Sequence, residues 1–556
     1  MASDYNVGDL VAEFLAQIGV RTVFGIVSIH NIPMLDAIGR RNAIRFIMAR
    51  GELGGAHMAD GYARVTGDLG VLFSSTGPGA ANAVGGLIEA QFAGSPVLHI
   101  TGHTATKFAD RATGTVHDPV DQLGMLQSVS KTAYRVRSAQ QALGVLTRAA
   151  VDALSAPSGP VSVEIPIDIQ RTPIPRPAML DNFTLPLPPP LPPTETELDE
   201  LAARVRQAKR PMLWLGAGAR KAGAEAKQLL DRGFGMVSSW AGRGTVPEDH
   251  PMNLAGLHGN GMPAIQDFYR DVDLMLVVGS RLRGQETGEF TVKLPDNLIQ
   301  IDIDPLANGR TYANQFFVCG DSRLVLQGLL DRLPAALPID PGFADAFAAL
   351  RGAAQAEFAA TLGPYATFSQ QLRAVMPRDA IWVRDITQSN TTWGNRLFPI
   401  YGARDNVYPV GAGIGQGLQL GIGAAAAAAN GSGGRKTVVM TGDGGFFLNM
   451  GELWTAVQDR LDMVVIVMND RGYGVIKRIQ DSFQQGRRFY ADLLGPDLGD
   501  LARVAGIPFF KVSQGDAFGA TVAKALAVQG TSMVEVDMHA VGEFPAYFPF
   551  NQRAAA

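Results

Sequence analysis

The chain has 556 residues, which at about 150 residues per domain gives two to four domains. Apolar residues make up 46% and charged residues 18%, which excludes a largely disordered chain. A net charge of −4 leaves no global positive field for nucleic acid and no polybasic tail for anionic lipid, so neither partner is expected. One cysteine, Cys319, excludes an intramolecular disulfide framework and a Cys-based zinc cluster. The 64 glycines exceed the usual ~7% and suggest many tight strand-to-helix turns. Asp4, Asp9 and Glu13 break any secretory core in the first twenty residues, so a cytoplasmic location is expected. The uncharged stretch 406–434 is long enough to span a bilayer. Its glycines, with Gln416 and Gln419, point instead to a buried helix behind a glycine-rich entry.

In chain order, the first block holds strand-like runs at Thr22–Ile26, Gly70–Ser74, Val97–Thr101 and Val161–Ile165. His30 lies in the loop after the first run, flanked by Val27 and Ile29. His99 and His103 have HxxxH spacing but sit at a strand end, which is a weak zinc signal. The proline-dense segment Pro173–Pro193 is a stiff linker. The second block has runs at Pro211–Gly216, Leu274–Gly279 and Leu298–Ile303, and a weaker boundary follows at Leu333–Pro341. The third has runs at Ala380–Arg384, Lys436–Thr441, Met463–Asn469 and Met533–Asp537. Short β-rich runs alternating with amphipathic segments predict an α/β protein of three doubly wound parallel-sheet domains, over residues 1–175, 190–335 and 345–545. Ligands then belong at the carboxyl ends of the strands.

The sharpest signal is in the third block. A strand runs into Gly442-Asp443-Gly444-Gly445 and a helix, and the next strand ends at Asn469-Asp470. Adjacent parallel strands place Asp443 and Asp470 side by side. Two carboxylates and a backbone carbonyl can hold Mg²⁺ with a bound diphosphate, and the glycines let backbone N–H groups approach phosphate.

This pattern resembles the thiamine diphosphate (ThDP) enzymes of the acetolactate synthase, benzaldehyde lyase and 2-oxo acid decarboxylase group. Their signature is Gly-Asp-Gly followed by Asn-Asn, with Asp470 standing here for the second Asn. The resemblance implies pyrimidine-binding, middle and diphosphate-binding domains, with the metal on Asp443, Asp470 and the carbonyl of Gly472. The segment Arg50–Arg64 looks like the family helix whose glutamate, here Glu52, shares a proton with pyrimidine N1′ and so activates the thiazolium C2. A glutamate at a helix start is, by itself, an ordinary dipole partner. Ser74–Gly102 then follows the family run almost throughout, with Thr76 and Asn82 at cofactor-binding positions. Thr387, Gln388 and Ser389 resemble the loop that helps hold the diphosphate, joined by Gly442, Gly444, Gly445, Tyr473 and Gly474. Ile414 matches the apolar side chain under the bent cofactor, and backbone near Val410 and Ala412 is expected to face the aminopyrimidine. The middle domain of this family can hold FAD, ADP or nothing. Ser280–Glu286 departs from the flavin-binding pattern, which favours an empty domain.

For the substrate, His30 matches the catalytic histidine of benzaldehyde lyase-like members. His117, followed by Asp118, stands where many members carry glutamine or an aromatic residue, and it too could shuttle a proton at neutral pH. Either histidine alone reads equally well as a loop residue bonded to backbone. Val475, Ile476 and Ile479 are expected to roof an apolar pocket, with the aromatic tail after Val541 as a possible cover. These residues favour a 2-hydroxyketone lyase or carboligase over a 2-oxo acid decarboxylase or an acetolactate synthase-like enzyme. The expected small-molecule partners are a 2-oxo acid, aldehyde or 2-hydroxyketone. A non-catalytic ThDP-binding scaffold and a flavin or nicotinamide oxidoreductase are the other classes; retention of Glu52 and Asp443 weighs against the scaffold. The resemblance further implies a homodimer with shared sites, assembled into a homotetramer.

Overall fold

A computed structural model of the chain describes residues 5–109, 111, 113–430 and 434–545. Three parallel sheets follow one another. The first contains β1 (Thr22–Gly25), β2 (Arg45–Met48), β3 (Gly70–Ser74), β4 (Val97–His103), β5 (Thr132–Arg135) and β6 (Val161–Pro166), in the order β2-β1-β3-β4-β6-β5. The second contains β7 (Pro211–Leu215), β8 (Gly235–Ser238), β9 (Leu274–Val278), β10 (Leu298–Asp302) and β11 (Phe316–Cys319), in the order β11-β10-β9-β7-β8. The third contains β12 (Ile381–Arg384), β13 (Asn406–Val407), β14 (Thr437–Gly442), β15 (Met463–Asn469), β16 (Phe509–Val512) and β17 (Ser532–Asp537), in the order β13-β12-β14-β15-β17-β16. The first and third sheets therefore share one topology, strand for strand.

Every strand anticipated from sequence is interior to its sheet. The six strands that sequence patterning passes over, β2, β5, β8, β11, β13 and β16, are the six sheet edges. Most of these are only partly buried or very short, so their apolar runs are broken. His99 and His103 lie inside β4 rather than beyond it. His99 is buried between the hydroxyls of Ser74 (2.7 Å) and Ser162 (3.0 Å), a structural role rather than a metal site. The proline-rich linker is not free along its whole length. Pro173 bridges to Asn6, Leu180 is buried, and Phe183 packs on Phe14.

The first and third domains join through equivalent helices. The helix Glu52–Thr66 follows β2, and the helix Gly417–Asn430 follows β13. They touch backbone to backbone: a Cβ on Gly61 would stand 2.2 Å from the Leu420 carbonyl oxygen, and one on Gly423 only 1.9 Å from that of Met58. The glycines of the uncharged stretch thus serve close helix packing, as expected for a buried helix. Among the described residues, no helix is long and apolar enough to cross a membrane. One apolar core spans the first and third domains and another spans the middle and third.

Candidate active site

The third domain builds one half of the site at the carboxyl ends of β14 and β15. Gly442 pairs with Met468, which sets Asp443 and Asp470 close together as the strands end. The buried Asp443 carboxylate accepts from the Asp470 N–H (3.3 Å) and the Gly472 N–H (2.9 Å). Burial pushes both carboxyls up, and the Asp443 charge pushes Asp470 further. Such a pair favours a proton or a cation between its members. Among the described residues no cluster of three His, Cys, Asp or Glu side chains could hold a metal. A hard cation here would draw on Asp443, Asp470, the Gly472 carbonyl and oxygens of its own ligand.

The glycines around this pair are required by space. A Cβ on Gly474 would meet Asp470 Oδ2 at 1.9 Å, one on Gly444 would meet the Tyr473 ring at 2.8 Å, and one on Gly445 would meet Asp385 Oδ2 at 2.8 Å. The loop after β12 closes in from the side. Gln388 donates to the Gly474 carbonyl (2.7 Å), and a Cβ on Gly442 would touch Thr387. The Thr387 hydroxyl oxygen accepts from the Asn390 N–H (2.9 Å), which leaves its O–H free to donate. Ser389 Oγ is buried without a hydrogen-bond partner. A glycine cradle, a paired carboxylate site and an orphaned buried hydroxyl fit a metal-bound diphosphate.

Asp385, at the start of this loop, is the organiser. Its fully buried carboxylate accepts from the N–H groups of Ile386 (2.7 Å), Gly415 (3.0 Å) and Gly417 (3.1 Å) and from the Thr441 hydroxyl (3.1 Å). This fixes the turn that presents Ile414, whose side chain is 43% exposed. Ala412 holds a left-handed φ of 64°, a strained conformation kept by its surroundings. At Val410 the N–H donates to Glu89 (2.6 Å) and the carbonyl accepts from Arg283 (2.6 Å), so both backbone groups are engaged by other domains.

The helix Gly474–Phe483 carries Val475, Ile476 and Ile479; the last two are solvent-facing. Beside it, Gly444, Phe447, Leu448, Tyr473, Leu493 and Leu494 line a cavity of about 190 Å³. The tail beyond residue 545 lies outside the described residues.

The first domain builds the other half. Glu52 opens its helix behind Gly51, is 7% exposed, and accepts from the Asn82 amide (3.2 Å). The Gly79 Cα lies against Glu52 Oε1, where a Cβ would stand at 2.5 Å. Thr76 sits nearby, but its hydroxyl donates to Gln122 (2.8 Å), whose oxygen also accepts from the Gly77 N–H (2.6 Å) and whose amide donates to the Gly102 carbonyl. Gln122 was not anticipated; it ties the turn after β3 to the end of β4. His30 and His117 face each other with ring centroids 5.4 Å apart. His30 is buried, its Nδ1 has no partner, and burial followed by the neighbouring His117, His103 and Arg171 lowers its pKa. The ring is therefore neutral near pH 7 and able to accept a proton. His117 is exposed with φ 63°, and Asp118 beside it is half-buried. Val27 and Ile29 are 51% and 58% exposed.

Hydrogen bonds join the two halves beside the functional side chains rather than through them: Glu452 accepts from the Arg50 and Gly51 N–H groups, and Glu89 from those of Val410 and Gly411. In the middle domain, the turns after β7 and β9 pack on each other. Gly218 N–H donates to the Gly279 carbonyl (3.0 Å), and a Cβ on Gly216 would stand 2.1 Å from that same oxygen. The Gly218 N–H is thereby satisfied inside the protein.

Comparison with known proteins covers most of the chain. Residues 5–125 match the family model for the N-terminal thiamine pyrophosphate binding domain, 198–329 the central domain and 385–536 the C-terminal thiamine pyrophosphate binding domain. The probable 2-ketoarginine decarboxylase AruI of Pseudomonas aeruginosa is 30% identical over 93% of this chain and 88% of its own. The acetolactate synthase isozyme 1 large subunit of Escherichia coli is 28% identical, covering 88% and 85%. The chloroplastic acetolactate synthase 3 of Brassica napus is 27% identical, covering 95% and 83%.

Proposed function

The chain belongs to the thiamine pyrophosphate enzyme family, and we propose that, with Mg²⁺, it breaks the C–C bond next to the carbonyl of a 2-oxo acid with loss of CO₂. The ordering differs from the sequence reading, which placed a 2-hydroxyketone lyase or carboligase first. The named relatives, a probable decarboxylase and acetolactate synthases, support a 2-oxo acid substrate. The observation that carries the reading is the 30% identity to a probable 2-ketoarginine decarboxylase across 93% of this chain; His30, a buried imidazole with a free Nδ1 flanked by apolar Val27 and Ile29, would serve it as proton carrier.

When bound, ThDP supplies the nucleophilic carbon and the electron sink. Glu52, held by Asn82, would share a proton with the pyrimidine ring. Asp443, Asp470 and the Gly472 carbonyl would hold Mg²⁺, with Ser389 and the Gly442–Gly445 turn against the diphosphate. Ile414 would support the cofactor from below. Apolar walls from Val27, Ile29, Val475, Ile476 and Ile479 disfavour a carboxylate and so favour its loss as CO₂. His30, with His117 beside it, would take the hydroxyl proton as product leaves. The same imidazole favours a second reading, cleavage or formation of a 2-hydroxyketone, because that reaction also needs an alcohol proton moved.

We propose further that each site forms between two copies. Support comes from exposed apolar residues on both halves, Val27 and Ile29 on one and Ile414, Ile476 and Ile479 on the other. Mixing Glu52→Gln with Asp443→Ala chains tests this: activity recovered in the hybrid supports sharing, and its absence rejects it.

A proton NMR time course with ThDP and Mg²⁺ tests the reaction, using pyruvate, benzoylformate, an aromatic acyloin and an aliphatic acyloin separately. Consumption of an oxo acid with aldehyde or acetolactate as product is the expected result. Cleavage of acyloins while both oxo acids persist would replace it with the lyase reading.

A further inference from the structure

The segment Tyr408–Gly411 leads directly into Ala412–Ile414 and is held by charged side chains from both other domains. Glu89, on the first-domain helix Pro78–Ala93, is 2% exposed. Its Oε1 accepts from the Val410 N–H (2.6 Å) and from Arg64 Nη2 (2.8 Å), and its Oε2 accepts from the Gly411 N–H (2.9 Å). Arg64, also buried, donates from Nη1 to the Tyr408 carbonyl (2.5 Å) and is paired with Asp60. From the middle domain, Arg283 donates to the Val410 carbonyl (2.6 Å) and to the Tyr408 hydroxyl (2.9 Å), while paired with Glu286 (3.1 Å). Pro409 has no N–H to satisfy. Four backbone groups of this segment, the Tyr408 and Val410 carbonyls and the Val410 and Gly411 N–H groups, therefore end on ionic side chains. On the far side of Ile414, Asp385 holds Gly415 and Gly417. Ala412–Ile414 is thus suspended between two carboxylate anchors, one of which comes from another domain.

We propose that Glu89 is a positioning residue whose paired oxygens set the height and angle of Ala412–Ile414 against the pyrimidine end of the cofactor. This rests on the assignment of that segment to the pyrimidine in the function proposed above. Glu89 touches neither cofactor nor substrate; it acts through the backbone. Glutamine in its place would turn an amide N–H toward one of the two loop N–H groups, so one anchor becomes a donor facing a donor. Space reinforces the arrangement: a Cβ on Gly411 would meet Glu89 Oε2 at 2.9 Å and the Phe92 ring at 2.9 Å. Gly411→Ala therefore displaces the same segment from the other side without altering a buried charge.

The test is isothermal titration of the full-length chain, stripped of cofactor, with Mg²⁺–ThDP and separately with Mg²⁺–pyrophosphate. Pyrophosphate reads the diphosphate end, around Asp443, Asp470 and Ser389, where Glu89 makes no contact. For Glu89→Gln the expected result is a ThDP Kd raised about 10- to 100-fold, the equivalent of one buried charged hydrogen bond, with the pyrophosphate Kd changed less than about twofold. Gly411→Ala should show the same split, and Glu89→Asp should recover part of the lost affinity. Equal weakening of both ligands by both variants would mean general loosening of the fold and would overturn the proposal. So would unchanged ThDP affinity. A wild-type chain that binds pyrophosphate but gains nothing from the thiamine end would overturn the cofactor assignment itself, a separate and recognisable result.

Discussion

Glu452 offers a direct test of how the third domain governs Glu52. It follows the helix that begins at Asp443, and it is 3% exposed. Its Oε1 accepts from the N–H groups of Arg50 (3.0 Å) and Gly51 (3.1 Å), and its Oε2 from Arg50 N–H (3.1 Å) and the Thr455 hydroxyl (2.7 Å). These are backbone donors at the start of the helix that opens with Glu52. A carboxylate borrowed from 400 residues away thus caps it, in place of the missing side-chain cap at Gly51. Glu452→Ala leaves two part-buried N–H groups without their carboxylate, and a small cavity. At about 1–3 kcal/mol for the donors and a further kcal/mol or so for the cavity, the cost is roughly 3–4 kcal/mol. Glu452→Gln keeps the shape and one acceptor, because Thr455 can turn its hydroxyl to accept from the amide; the cost is about 1–2 kcal/mol. The alanine variant should lower the main thermal transition by roughly 5–10 °C and the glutamine variant by less than half of that. The catalytic effect should be larger than the stability effect suggests. An error of about 1 Å in placing Glu52 costs up to about 100-fold in kcat. Thermal unfolding beside steady-state turnover at saturating ThDP and Mg²⁺ measures both. A Glu452→Ala chain with wild-type kcat and an unchanged transition would refute the cap and the reasoning from it.

Three further outcomes follow from the same structure. Gly423→Ala puts a methyl group 1.9 Å from the Met58 carbonyl and forces the two central helices apart; a loss of at least about 2 kcal/mol in denaturant unfolding is expected, and an unchanged midpoint would contradict the close crossing. His99 is buried and neutral, its pKa pushed down to about 3 by burial, so the unfolded chain binds a proton that the folded chain refuses. Stability is lost as pH falls below the ordinary histidine value, with a slope of up to about 1.4 kcal/mol per pH unit from this residue. His99→Gln should flatten that slope between about pH 6.5 and 4 in pH-dependent urea unfolding, and an unaltered slope would reject the assignment. His30→Phe keeps the ring volume and removes the free Nδ1; kcat should fall about 100- to 10,000-fold with ThDP Kd unchanged, and retained turnover would remove His30 from the chemistry.

What could be read from sequence followed the physics of burial. The interior strands, covered on both faces, are continuous apolar runs, as in Met463–Asn469 and Leu274–Val278. The edges are not. Arg45–Met48 mixes a basic residue with three apolar ones and Asn406–Val407 is two residues long, so neither leaves a periodic signal. The diphosphate cradle was readable for a different reason. Glycines at 444, 445, 472 and 474 are demanded by close contacts where the loops after β12, β14 and β15 meet, and the glycines themselves fall in two short stretches of chain whose spacing is visible in sequence.

The residues that escaped, Glu89, Gln122 and Glu452, with the role of Asp385, share one property. Each spends a buried side chain on backbone N–H groups of a distant segment. Such a partner is a peptide group and has no residue identity, so nothing in the partner's sequence answers to it. Glu89 could have been flagged as the sole charged residue in Pro78–Ala93, an otherwise small and apolar helix, because an unpaired buried carboxylate is too costly to be incidental. Even that flag would not have named Val410 and Gly411. The same reasoning applies at Val410. A resemblance assigns backbone groups by position, whereas the fold decides which already have partners, and here a carboxylate and a guanidinium from two other domains engage the N–H and the carbonyl. The surface left for a ligand is the residue of the loop that no such anchor reaches, Ala412 to Ile414.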